Sequence, residues 1–449
     1  MHARRTVALA VSAILLAAAC SSAATTAPSA AAPASAAAPA SAAAPASAAA
    51  PASAAPLAVK IGIELPMTGG EAPNGVPTAN GVALAISQLK VPGFTITINQ
   101  QDDAVNGVHN PQQGATNMQT LANDAQVLFV VGPYNSSVAQ AEIPVSNAAG
   151  LMQCSPANTN PGLTKPWGGA DPKSLRPTNP DKIAYVRDAT TDDNQGAAGA
   201  DIAYNIVHAK TAYVADDTQT YGKGLADVFA QTFEKLGGKV LKRDGIPGST
   251  TDFTSYVTTV KGLKPDYVFY GGVTTSGIGL FRLQMAQQGL QTIPLGGGDG
   301  ISDGSAATKS SFLQIAGPQG DQNTWSTVAG PHDVASNATP SAADLASAYQ
   351  AMFNTAPGAY TAAAYACTQV FVQALQAVGA SAGGDLAKLR EAVRAYVADP
   401  SHSYNTALGT FSFDANGDTT QKIVSYYKFD PATKDWLFVQ QRDFAANPL

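Results

Sequence analysis

The chain has 449 residues, with 26 Lys or Arg against 32 Asp or Glu and a formal net charge of −6. With no Lys/Arg run on an acidic background, nucleic acid is excluded as a partner held through its phosphates. Three cysteines without metal-type spacing exclude zinc ribbons and fingers, while the length suits two ordinary domains.

Residues 1–5 carry Arg4 and Arg5 and are followed by the apolar run Val7 to Ala19 and then Cys20. The pattern predicts a secretory signal over 1–19, too short for a permanent membrane span. LLAAAC at 15–20 resembles the lipobox of bacterial lipoproteins, in which Cys20 becomes the lipidated first residue of the mature chain. Ala17 stands where such boxes usually carry Leu, and plain secretion is the alternative. Residues 20–56 are almost entirely Ala, Pro, Ser and Thr, with PASAAA starting at Pro33, Pro39 and Pro45. Nothing there can form a core, so a disordered tether is expected, reaching at most about 110 Å if extended as polyproline. Loss of Arg4 and Arg5 with the signal leaves 24 basic against 32 acidic side chains, a charge of −8.

From Val59 to about Leu295, short β-type runs alternate with amphipathic stretches, the signature of βαβ units and parallel sheet. Strands are predicted at 59–63, 94–100, 127–131 and 151–154, with helices over 77–90, 110–124 and 137–150 between them. The Pro- and Gly-rich segment 166–180 reads as a surface excursion. A second series follows, with strands at 183–188, 211–216, 239–245 and 266–272 and helices over about 194–207, 222–235 and 253–261. After Leu295 the pattern turns helical, at about 342–353, 359–378 and 386–396. It ends in a hairpin-like group of strands at 409–414, 423–429 and 436–442. Two successive parallel-sheet modules imply two α/β lobes, and ligands of open α/β sheets bind beyond the carboxyl ends of the strands.

One such end is QCSPANTNPGLT at 153–164. Pro156 removes a backbone donor and keeps Ser155 extended, while Asn158 to Asn160 favour side-chain-stabilised turns. A shaped loop rich in hydroxyls and amides is a candidate binding element.

Enzyme motifs find no support. His109, His208, His332 and His402 are isolated, no G-x-S-x-G or P-loop occurs, and GGGDG at 296–300 fails the dinucleotide fingerprint. DANGD at 414–418 lacks the remaining ligands of a calcium loop and reads as a tight turn. No enzyme activity, cofactor or metal is implied. Cys154 and Cys367 are expected as two separate buried thiols, their pairing left open by sequence.

Eight segments resemble, in order, the leucine/isoleucine/valine-binding protein family, the type I periplasmic binding proteins of branched-chain amino acid ABC transporters. They are VKIGIELPMTG, QDDAVN, VVGPYNSS, LMQCSPANTNPGLT, DDTQTYGKGLADVF, DYVFYGG, GGGDG and FSFDANGD, spanning about Val59 to Phe429. The resemblance implies an α/β fold of two doubly wound parallel-sheet lobes joined by a three-crossover hinge. One lobe would comprise 57–190 and 328–422, the other 191–327 and 423–449. It implies an extracytoplasmic, membrane-anchored solute-binding lipoprotein, expected to be a monomer, with a ligand sensor on the same fold as the alternative. Its partners would be a small-molecule ligand, an amino acid or analogue, and the permease and ATPase subunits of an ABC transporter.

Carried over residue by residue, Ser136 and the helix start beside it would receive the ligand carboxylate. The backbone carbonyl of Ala157 and the carboxylate of Asp299 would receive the ammonium, the Thr159 hydroxyl would accept from the ammonium or donate to the carboxylate, and Tyr221 would lie against the ligand. Asp192 and Asp193, at the first crossover, are alternative cation partners or solvated linker charges. The side-chain pocket would be formed by Asn74, Tyr134, Asn135, Val273 and Tyr360. It is more polar than an aliphatic ligand requires, since a buried amide or phenol without a partner costs about 1–3 kcal/mol. A polar or larger amino acid is therefore expected in preference to leucine, with urea-like amides and aromatic carboxylates as alternatives. The family's disulfide positions correspond to Val105 and Asn135, so that bridge is absent.

Overall fold

The computed structural model describes residues 55–449; the signal, Cys20 and the tether as far as residue 54 lie outside the described residues. The first sheet begins with β1 (Leu57–Leu65) and α1 (Ala72–Gln88), then β2 (Phe94–Asp102) and a short hairpin of β3 (Ala104–Val105) and β4 (Val108–His109). Next come α2 (Pro111–Asn123), β5 (Val127–Val131), α3 (Ser136–Ala149), β6 (Met152–Ser155) and β7 (Tyr185–Arg187). Local chemistry fixes these boundaries. Asn110 accepts the Gln113 amide and places Pro111 at the start of α2, and Gly150 ends α3 in the left-handed region. The strands run parallel in the order β2-β1-β5-β6-β7.

The second module is α4 (Asp192–Asp201), β8 (Thr211–Asp216), α5 (Thr220–Lys235), β9 (Lys239–Gly245), α6 (Thr254–Leu263) and β10 (Tyr267–Gly271). It continues through α7 (Ile278–Gln287), β11 (Leu295–Gly296), α8 (Phe312–Gly320) and β12 (Thr324–Val328). The chain then returns to the first lobe as α9 (Ala342–Phe353), α10 (Thr361–Val378), α11 (Leu386–Ala398), β13 (Tyr404–Thr406) and β14 (Gly409–Phe411). It finally crosses back as β15 (Ile423–Asp430) and β16 (Asp435–Asp443), which extend the second sheet antiparallel: β16-β15-β12-β11-β10-β8-β9. The chain thus passes between the lobes three times. At the hinge the passes lie side by side, with the Arg187 amide donating to Gly417 O, Thr419 to Arg187 O and Thr190 to Ala329 O.

Three expectations need correction. The terminal group is not one hairpin, because β14 pairs with β13 in the first lobe. Tyr404, Phe411 and Phe413 bury their rings there, while only β15 and β16 join the second sheet. The strand TWSTV at 324–328 was absent from the sequence reading; it is central and buried throughout, so it carries no alternation to read. Cys154 and Cys367 are not separate thiols. They form a disulfide across 213 residues of sequence, with Cα atoms 5.8 Å apart, joining the end of β6 to α10 inside the first-lobe core.

Candidate functional site

The loop after β6 is held from behind. Ser155 Oγ donates to Pro133 O (2.6 Å) and accepts the Asn158 amide, while Asn158 Nδ2 donates to Tyr134 O (2.7 Å). Tyr185 Oη donates to Asn158 Oδ1. Arg187, fully buried, donates to Asn160 O (2.7 Å) and to Thr164 Oγ1, and its Nε meets Asp418 Oδ1 at 2.7 Å. Burial alone would raise the Asp418 carboxyl, but the Arg187 guanidinium outweighs it and holds the group below its ordinary value. The DANGD turn is therefore also an anchor. Asp414 Oδ1 accepts the Asn416 and Asp418 amides, closing the turn and presenting Asp418 to the guanidinium.

In front of this scaffold the lobes meet over a cavity of about 20 Å³, lined by Tyr134, Asn135, Ser136, Ala157, Tyr221, Val273, Asp299 and Gly300. That is room for about one water, so the cleft is closed. Ser136 is the first residue of α3, and the amides that open a helix have no partner within it. Opposite, Asp299 Oδ1 accepts from Tyr221 Oη (2.6 Å) and Oδ2 from Tyr360 Oη (2.7 Å), one tyrosine from each lobe. Gly298 makes this approach possible, because a Cβ there would lie 2.3 Å from the Tyr221 oxygen. A wider opening of about 700 Å³ lies elsewhere between the lobes, lined in part by Pro73, Pro77, Asp303, Tyr427 and Trp436.

The cavity is electrostatically acidic. Burial raises the Asp299 carboxyl, and the phenol hydrogen bonds offset it only in part. Asp192, at the start of α4, is wholly buried with no partner on either oxygen; burial and then the neighbouring Asp299 push it well above the carboxylate range. Asp303 is pushed up to about 7 by burial. Asp193, by contrast, pairs with Lys165 at 2.8 Å as a hinge charge.

Most of the residues singled out from sequence converge. Ser136, Ala157, Tyr221, Asp299, Tyr134, Asn135 and Val273 line one cavity, and Tyr360 reaches it through Asp299. Thr159 is buried behind Ala157 with an unpartnered hydroxyl, as is the Tyr134 phenol. Asn74 lies outside the cavity wall, on the first turn of α1, where its carbonyl accepts from Thr78 Oγ1. Sequence reasoning missed Arg187 and the contacts that close the cleft. Asn160 Nδ2 donates to Thr220 O (2.7 Å), Thr275 Oγ1 donates to Glu71, and His109 lies between Glu71 and Gln219. His109 is therefore not isolated; residues brought together across two lobes leave no local pattern.

Comparison with known proteins places this geometry. Residues 58–429 match the family model described as periplasmic binding protein. A Leu/Ile/Val-binding protein homologue from Brucella melitensis is 31% identical over 392 residues, 85% of this chain and 94% of the relative. A leucine-binding protein from Thermotoga maritima superposes with a TM-score of 0.70 at 24% identity, covering 86% of this chain and 99% of that one. A solute-binding protein from R. palustris in complex with benzoate gives 0.67 at 21% identity, over 86% and 96% of the two chains. With its two α/β lobes and closed interlobe cleft, the chain belongs to the type I periplasmic binding proteins, in the leucine/isoleucine/valine-binding family.

Proposed function

We propose that the protein is the extracytoplasmic solute-binding component of an ABC transporter for amino acids, closing its lobes on an α-amino acid and presenting it to the permease. The observation that carries the reading is the pairing of opposites across one cavity. The amides that open α3 and the Ser136 hydroxyl, which accepts the Asn160 amide and keeps its own proton to donate, suit a carboxylate, and buried Asp299, with Asp192 behind it, suits an ammonium. Ala157 and Thr159 supply the remaining main-chain contacts, and Tyr221 packs against the ligand. Tyr134, Asn135, Val273 and Tyr360 surround its side chain, favouring a polar or larger amino acid over leucine. A cavity that holds one water means that such a ligand enters as the lobes part. An aromatic carboxylate is the second reading, supported by the benzoate complex of the R. palustris relative.

A thermal-shift screen of amino acids, short amides and aromatic acids decides between them. A ligand present at 100 times its dissociation constant stabilises by about 2.7 kcal/mol. Stabilisation by leucine, isoleucine and valine alone would sink the polar-pocket reading. Stabilisation only by compounds without an ammonium would remove the role given to Asp299. Lipid anchoring at Cys20 is part of the proposal; Cys20→Ser should move the protein from membranes to the soluble fraction with ligand affinity unchanged.

A further inference from the structure

The turn before α1 and the β3–β4 hairpin meet backbone to backbone at glycine. Gly69 and Gly107 both have positive φ, and a Cβ on Gly69 would lie 2.1 Å from Gly107 Cα. This contact sets Glu71 and His109 side by side in the first lobe, 3% and 8% exposed. His109 Nδ1 lies 2.8 Å from Glu71 Oε1 and Nε2 lies 2.8 Å from Gln219 Oε1 of the second lobe.

The direction of the chain beyond Gln219 determines what the ring must carry. Asp217 accepts the Gln219 amide on Oδ1 and the Ser276 hydroxyl on Oδ2 at 2.7 Å. With its proton so committed, Ser276 Oγ is the acceptor for Gln219 Nε2 (3.3 Å), and this turns Gln219 Oε1 toward the ring. An oxygen of Gln219 at Nε2 and a carboxylate at Nδ1 both call for a donor, which only the doubly protonated imidazolium supplies. A second small cavity connects this ring to the site: His109, Asn135, Ser136, Ser137, Asp217, Gln219, Tyr221 and Val273 line it together. Among the described residues lining this cavity and the central one, His109 is the only side chain able to carry positive charge.

We propose that His109, as an imidazolium bridging Glu71 and Gln219, is a positioning residue that latches the two lobes and places a positive charge beside the anion-binding start of α3, so that closing the cleft takes up or retains a proton. Burial opposes the charge, but Glu71 and the two hydrogen bonds outweigh it and raise His109 above its ordinary value. A raised group keeps its contribution at low pH and loses it as pH rises through the closed-state value, so the latch weakens toward alkaline pH. The groups facing it are Glu71 on the α1 side and Asp217 after β8; Asp103, just past β2, faces Glu71 from the other side. Asp303, pushed up to about 7 by burial, lies beyond Glu71. The latch's value for capture rests on the solute-binding role proposed above; its existence does not.

The test reads the protein alone, without ligand. Imidazole carbon resonances of His109 are followed from pH 5 to pH 9, with small-angle scattering of the same samples. The expected result is a His109 midpoint above the ordinary 6.5 and a radius of gyration that grows as pH rises through it. In Gln219→Leu the midpoint should fall by roughly one unit, the size of one lost charge-assisted hydrogen bond. In Gln219→Glu it should rise instead. In His109→Gln the expansion through this range should vanish, which separates His109 from Asp303. A ring that stays neutral at pH 5, a radius flat with pH in the native chain, or the same expansion in His109→Gln would each overturn the latch, whatever ligand the cleft takes.

Discussion

The polar groups behind the Ser155–Thr164 loop and those in front of it are equally buried but differently partnered. Behind, Arg187 spends its donors on Asp418, Asn158 O, Asn160 O and Thr164. In front, both oxygens of Asp192, the Thr159 hydroxyl and the Tyr134 phenol have no partner. An unsatisfied buried polar group costs stability, so a folded chain keeps a cluster of them only where something else completes the set. Behind the loop, Asp418 Oδ2 and both oxygens of Asp188 also lack a partner, so the two regions differ in what the Arg187 guanidinium compensates and not in burial.

Breaking the scaffold side should have the largest effect. Arg187→Met removes the cation paired with a fully buried Asp418 and leaves that carboxylate without its ion-pair partner, at a cost of about 3–5 kcal/mol. Urea denaturation of the two proteins measures it. A loss under 1 kcal/mol would mean that the pair is incidental and the loop is held by its other bonds.

On the site side, stability and binding should part company. Asp299→Asn removes a carboxylate that burial already disfavours, so the fold without ligand should be unharmed. Affinity for an amino acid should fall by about 10- to 100-fold, as expected for one lost charge-assisted contact, while the matching desamino acid should bind as before. Isothermal titration of both ligands against both proteins checks this, and an equal loss for the pair would show that Asp299 shapes the cavity without meeting an ammonium.

How much of this was legible in the sequence follows the same division. Alternation of apolar runs was enough to place both lobes and most of their strands, because each half-buried element carries its own periodicity. TWSTV at 324–328 was not legible, since a strand covered on both faces has none. Ser136, Ala157, Tyr221 and Asp299 came from the resemblance and meet at one cavity, yet no local pattern marked Glu71, Arg187 or His109. Their partners lie between 23 and 231 residues away, and sequence order holds no trace of such distances. The Cys154–Cys367 disulfide is hidden for the same reason.

The two regions should also answer to pH with opposite signs. Asp192, Asp299 and Asp303 are raised in the fold, the last to about 7. Between an unfolded value of about 4 and pH 7 the folded chain therefore holds protons that the unfolded chain has lost, and stability rises as pH falls. Asp418 is depressed, so its contribution is complete above about pH 4 and is lost only as pH drops further. From pH 7 to pH 5 the native chain should gain at least about 2 kcal/mol, and the double variant Asp192→Asn, Asp303→Asn should gain less. His109 adds to the rise in both proteins, so the difference between their denaturation profiles belongs to the two carboxylates. Parallel profiles would mean that neither group holds its proton in the fold.

The smallest effect is expected where the site borrows a bond across the cleft. Tyr360 belongs to the first lobe and Asp299 to the second, so the 2.7 Å hydrogen bond between them exists only while the lobes are closed. Tyr360→Phe deletes the hydroxyl and keeps the ring, which stays packed edge-on against Tyr134 at 5.7 Å. Asp299 retains Tyr221, a partner within its own lobe, so no carboxylate is abandoned; the main cost is the Asp299 hydrogen bond, about 1 kcal/mol, beside a longer one from the Ala329 amide at 3.4 Å. Because the Asp299 bond is absent when the cleft opens, most of the loss falls on closure and not on the fold of either lobe. The ratio of closed to open molecules should drop about fivefold. The denaturation midpoint of the isolated protein should barely move if unfolding begins from the open form. Small-angle scattering reads the ratio and urea reads the midpoint. A variant that destabilises the fold by as much as it opens the cleft would place Tyr360 with the scaffold, on the side of Arg187, and would move the boundary between the two regions to the far side of Asp299.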